Sequence, residues 1–167
     1  MKIVTKIVFI STVLLFASAC SPKFDWRETR SNEAPFAILM PGKAVSDGKN
    51  LQLEGIDIKM TMLATEAGGV SFAVGSTKID DPGKTGLVME AMKKGMIKNV
   101  QGTPENTRTT TSGEIEVHGK LRNGEPVLMA ARFVIRGPWV YQIVILGPEK
   151  VVSRDVIDTF MTSFKTN

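Results

Sequence analysis

One cysteine, one histidine and one tyrosine occur among 167 residues, and each shortage excludes a class of chemistry. A lone cysteine closes no intrachain disulfide and builds no cysteine-rich zinc site, so the fold has to be held by its apolar core. A lone histidine, His118, gives little material for a Ser-His-Asp site, and no Gly-x-Ser-x-Gly elbow accompanies it. Excess positive charge is scarce too. Lys and Arg total 21 against 17 acidic residues, and Lys2 and Lys6 fall in a leader, which leaves 19 against 17, or +2. Aromatics are 7% of the chain, so it lacks the concentrated basic and aromatic face that nucleic-acid binding needs, and nucleic acid is not an expected partner. What remains fits one ordinary domain, long enough to bury a core without disulfides or metal.

The leader accounts for the cysteine. Lys2 and Lys6 form a short basic region, followed by an apolar stretch from Ile7 to Phe16 broken only by Ser11 and Thr12. That stretch is too short to span a bilayer permanently. Ala17, Ser18 and Ala19 then precede Cys20, an arrangement that resembles the lipobox of bacterial lipoproteins, with Ala17 where a larger aliphatic is common. The resemblance implies a signal peptide over residues 1–19, cleavage between Ala19 and Cys20, and a diacylglycerol on the Cys20 sulfur. Two or three acyl chains make attachment lasting, since each buried methylene contributes about 0.8 kcal/mol. Cys20 is then an anchor and not a catalyst. Ser21, in place of Asp, implies sorting to the outer membrane, with the domain facing the periplasm. The plainer alternative is ordinary secretion after Ala19.

Residues 20–34 read as the lipidated cysteine and a charged tether, which reaches roughly 45 Å if fully extended. Within it Phe24 and Trp26 suit a membrane interface, but such rings more often pack on their own domain. Residues 35–167 read as a single α+β domain. Pro35 and Pro41 bracket a first strand, Phe36 to Met40. Ile56, Ile58, Met60 and Met62 alternate with polar residues in a second, and Gly68-Gly69 turns it into a third through Val70, Phe72 and Val74. Leu87, Val88, Ala91, Met92, Gly95 and Met96 recur at helical spacing opposite Lys93, Lys94 and Lys98. After a polar run at residues 107–112, Ile115 and Val117 alternate with Glu114, Glu116 and His118 in a strand with one wet face. Asn123-Gly124 signals a hairpin to Val127–Ile135, and Gly137-Pro138 leads to Trp139–Leu146, an apolar strand placed centrally. Val152, Val156, Phe160 and Phe164 mark a closing helix. The order β-β-β-α-β-β-β-α predicts an antiparallel sheet of about six strands with two helices packed against it.

The strand WVYQIVILG, the helix ending DTFMTSFK and the opening PFAILMPGK together resemble PsbP-like and DcrB-like domains over Pro35 to Lys165. That resemblance implies their fold and an accessory role in an envelope or membrane complex, with no specific activity.

Chemistry-bearing groups are few. Glu114, Glu116 and His118 project from one strand face as candidate metal ligands, although a solvated face demands polar residues there anyway. Nine methionines invite Cu(I), but Met60, Met62, Met89, Met92 and Met96 sit at inward positions where adaptable packing is the ordinary role. Asp80 and Asp81 fall on a turn, and residues 83–86, GKTG, read as a helix start and not a phosphate loop. Lys93, Lys94 and Lys98 could meet an anionic surface or simply be solvated. No cofactor and no catalytic residue is expected. The leading expectation is a non-enzymatic accessory or assembly factor of an envelope complex. The alternative is a binder of a small or lipidic ligand, in a pocket between sheet and helix lined by Met92, Met96, Phe72 and Phe160, and an internal cavity discriminates the two. A third class, a hydrolase, needs His118 beside a serine or carboxylate.

Overall fold

The computed structural model of the chain describes residues 23–166, so the leader, Cys20 and the start of the tether lie outside the described residues. The architecture is α+β. Ten strands are described: β1 (Arg27–Arg30), β2 (Phe36–Met40), β3 (Val45–Leu53), β4 (Ile56–Ala67), β5 (Val70–Lys78), β6 (Thr107–Thr109), β7 (Ile115–Lys120), β8 (Pro126–Arg136), β9 (Trp139–Pro148) and β10 (Lys165–Thr166). Two helices accompany them, α1 (Thr85–Asn99) and α2 (Arg154–Ser163). The main sheet has seven antiparallel strands in the order β3-β4-β5-β9-β8-β7-β6, and a small antiparallel sheet has the order β1-β2-β10.

The turns follow local chemistry. Gly68 and Gly69, at φ 59° and 76°, close β4 onto β5 in the left-handed conformation of a type I′ turn. Gly137, at φ 55°, followed by Pro138, has the sign pattern of a type II′ turn and joins β8 to β9. Before α1, the Asp81 carboxylate accepts from the Gly83 amide at 3.0 Å and caps a short 3-10 turn over Pro82–Lys84, as a turn aspartate should.

β9 is the central strand, and its alternation divides the interior. Tyr141, Ile143 and Ile145 point into a core shared with Phe72, Val74, Ile157, Phe160 and Met161, covered by α2 and the small sheet. Val140 and Val144 point the other way, into two smaller clusters under α1 that include Val88, Met92, Val100 and Val117. The molecule is therefore three layers: α2 with the small sheet, the seven-stranded sheet, and α1.

Three expectations need correction. The strand Phe36–Met40 does not join the main sheet; it pairs with β1 and β10 and is tied to α2, whose Ser163 hydroxyl accepts from the Leu39 amide at 3.0 Å. Part of the stretch read as tether belongs to the fold, since Arg27–Arg30 pairs with β2. Phe24 and Trp26 take the more common course for such rings and pack on their own domain, with ring centroids 5.8 and 5.7 Å from Phe72. The main sheet also gains edge strands at both sides. β3 is exposed along nearly its whole length and β6 has three residues inside the Thr-rich run, so neither carries an apolar alternation.

Trp26 gives a direct measure of where the domain begins. Trp26→Ala is expected to cost about 1–3 kcal/mol in urea unfolding, below the roughly 3–5 kcal/mol of a core ring because Trp26 is half-buried; a tether residue would stay within about 0.5 kcal/mol.

Candidate functional site

On the α2 face of the sheet, Glu116 is the outstanding group. Ile115 and Val117 face α1, so Glu116 and His118 face the opposite layer. The Glu116 side chain is 1% exposed and sits between two guanidiniums: Arg108 on β6, whose Nε donates to Oε2 at 2.7 Å, and Arg154 on the first turn of α2, which donates to Oε1. Burial by itself raises the Glu116 pKa, but the hydrogen bonds and charges of Arg154 and Arg108 outweigh it and hold the carboxyl below the usual glutamate range. The triad clasps the β6–β7 edge to the start of α2.

This arrangement removes the three-ligand metal reading of the strand. The Glu116 carboxylate is occupied by arginines, Glu114 is hydrogen-bonded to the Thr110 hydroxyl, and His118 Nδ1 lies 2.6 Å from Glu149 Oε1 on the surface. Among the described residues no group of three or more His, Cys, Asp and Glu side chains is placed to hold a metal ion. The lysine strip is split as well: Lys93 turns to Glu90 at 3.8 Å, while Lys94 and Lys98 stay exposed one turn apart.

The α1 face holds the candidate site. Between α1 and the β3–β5 side of the sheet lies a groove of about 540 Å³. β3 contributes one face of its alternation, Val45 to Leu53, while β4 contributes Met60, Met62 and Ala64. α1 contributes Ala91, Met92, Gly95 and Met96, which are successive turns of one helical stripe. The volume lies within the range of about 300–1,000 Å³ typical of small-molecule sites. Val45 and Leu51 are 68% and 40% exposed, so the β3 wall carries apolar surface to the mouth. Unbranched, polarisable methionines line the interior, which lets the walls adapt to an occupant.

The floor is polar at one point. Asp47, Met62, Gly75 and Gln142 are register partners in one row across β3, β4, β5 and β9. Gln142 is 8% exposed, and its side chain lies over Gly75 and donates from Nε2 to Met62 Sδ at 3.7 Å. A Cβ at Gly75 would stand 2.7 Å from Gln142 Cγ and 2.9 Å from Met62 Sδ, so only glycine lets both side chains lie there.

Sequence reasoning placed Met92 and Met96 beside a pocket together with Phe72 and Phe160. The methionines do line it. Phe72 and Phe160 meet edge to face, with centroids 5.3 Å apart, on the opposite face, so the sheet separates the two pairs. Reading the parity of β5 would have found this, since Gly75, and not Phe72, shares the Gln142 face. His118 lies on the α2 face too, away from the groove. Gln142 was missed, although one amide inside the apolar run WVYQIVIL was its visible signal. Comparisons with family models, curated proteins and solved structures give no match to the chain.

The Glu116 clasp has a pH signature. Because the folded pKa lies below the ordinary value of 4.5, the stabilisation is complete above that value and is lost as pH falls through the lower folded one. Glu116→Gln should therefore lower stability at pH 7 and flatten the acid limb of a stability-against-pH curve measured by urea unfolding. Arg154→Met, which removes a charged hydrogen-bond partner, is expected to cost about 1.5–3 kcal/mol at neutral pH.

Proposed function

We propose that this chain is a lipid-anchored, periplasm-facing envelope protein whose domain binds a small apolar or amphipathic molecule in the groove beneath α1. The observation that carries the reading is the groove itself: an apolar, methionine-lined concavity of about 540 Å³ with a single polar residue, Gln142, in its floor. Concave, mostly apolar sites with few convergent polar groups are the usual form of small-molecule pockets. Anchorage at Cys20 and sorting to the outer membrane rest on the leader and on Ser21. The resemblance to PsbP-like and DcrB-like domains supports a non-enzymatic role. An accessory role in a complex shares that anchorage, and the groove favours ligand binding over it.

Binding is tested with the full chain carrying Cys20→Ser, made without acyl chains, and the uncharged dye N-phenyl-1-naphthylamine. Saturable, one-site fluorescence enhancement is expected. Gly95→Phe should weaken it at least tenfold: Gly95 lines the groove and a Cβ there meets nothing within 4 Å, so a side chain can start from that position. Replacing a helix-interior glycine should leave the melting temperature unchanged or raise it. Dye binding that is absent, or unaltered by Gly95→Phe, would remove the groove as a site.

Anchorage is tested separately by growing cells with alkynyl palmitate. The wild-type chain should take the label and Cys20→Ser should not; label on neither leaves secretion after Ala19.

A further inference from the structure

The groove has an inner polarity that narrows its occupant. We infer that it takes an uncharged single-chain amphiphile, an acyl or alkyl chain ending in an amide or hydroxyl, bound with that neutral end inward on Gln142. The inference rests on the groove being a binding site and adds the chemistry of the ligand.

Three observations carry it. First, Gln142 is more than nine-tenths buried, and its only side-chain hydrogen bond among the described residues runs to a thioether sulfur at 3.7 Å. A primary amide offers two donors and an acceptor oxygen, and sulfur is a weak acceptor, so most of this capacity is unused by protein. Gln142 is not among the fully buried polar atoms left without a partner, and as it lines the groove, the groove is the side from which a partner for its amide can come.

Second, the floor carries no charge. Beside Gln142 stand Met62 and Gly75, with Phe133 as its register partner on β8, and none of them is charged. A carboxylate or phosphate brought to Gln142 would be desolvated without a counter-charge, which is far costlier than burying a neutral amide or hydroxyl. Charges occur only on β3, where Asp47 and Lys49 are exposed. Asp47 is three strands from Gln142, roughly 14 Å at the usual strand spacing.

Third, the size fits one chain. At about 30 Å³ for each water-sized unit, 540 Å³ holds on the order of 18 units, one long chain and not the two of a bilayer phospholipid. Gly75 supports the same reading, because its missing side chain is what lets the amide lie flat on the floor facing the groove.

The test uses the full chain with Cys20→Ser and measures displacement of the bound dye by two near-isosteric probes at pH 8, decanamide and decanoate. Decanamide should displace the dye at a concentration at least tenfold lower. Gln142→Leu should weaken decanamide about tenfold more than it weakens the dye, whose own affinity is measured in the same variant; Gln142→Met, closer in shape, should behave alike, and thermal melts should show both variants folded. Decanoate competing as well as decanamide, or decanamide unaffected by both substitutions, would overturn the neutral-head assignment while the groove stays a binding site. Displacement of the dye by decanoate that is abolished by Lys49→Gln would overturn it in favour of a charged head at the rim. No dye binding at all would sink both readings together.

Discussion

A strand in the middle of a seven-stranded sheet has two faces to keep dry, and the rest of this molecule is arranged around that demand on β9. Its side chains alternate strictly, so Tyr141, Ile143 and Ile145 require a cover on one side and Val140 and Val144 require one on the other. Each buried Ile or Val contributes about 1.5–3 kcal/mol, and leaving either face wet would forfeit those on that side. Both helices and the small sheet are placed by this requirement. Gln142 is the one amide that β9 presents to the α1 layer, and it is there that the cover is incomplete.

The incompleteness has a geometric origin. Six strand spacings separate β3 from β6, roughly 29 Å at the usual 4.8 Å each, whereas a helix with its side chains is about 10–12 Å wide. α1 alone cannot roof that width. On the other face α2 shares the work with β1, β2 and β10, and aromatic rings fill the remaining space: Phe72 meets Phe160, Trp26 and Phe24, and Tyr141 meets Phe36 and Phe164. On the α1 face Phe133 is the one ring packed against the described clusters, and the β3–β4 side stays open as the groove. Small residues on α1, Ala91 and Gly95, and glycine at position 75 keep it from closing.

The Glu116 clasp belongs to the same logic. β7 also has two faces, and the one opposite Ile115 and Val117 read as solvated because it carries Glu114, Glu116 and His118. Near the sheet edge that face meets the N-terminal turn of α2, and a carboxylate trapped there is tolerable only with a counter-charge. Arg108 from the neighbouring strand and Arg154 from the helix supply two, with their outer surfaces still hydrated. Further along the strand His118 escapes to the surface. One alternating pattern thus yields a buried ion triad and an exposed imidazole, depending on what lies above each residue.

Much of this was present in local pattern. The hairpin at Gly68-Gly69, the turn at Gly137-Pro138, both helices and the centrality of Trp139–Leu146 follow from period, turn chemistry and an unbroken apolar run, all properties of a few neighbouring residues. Strands without such a pattern were invisible: β3 is an edge, exposed on both sides, and hydrogen bonding to β4 alone makes it a strand. The membership of Phe36–Met40 in a second sheet, the burial of Glu116 and the packing of Trp26 on Phe72 depend on residues far away in the chain. The sequence by itself determined the elements that carry a local pattern, their apolar faces and a methionine-rich lining for α1 and β4. Only the tertiary structure decided that one helix covers too little of the sheet, because coverage is a matter of widths and crossing positions that no local spacing encodes, and so only there do Gln142, Gly75 and the methionines become one site.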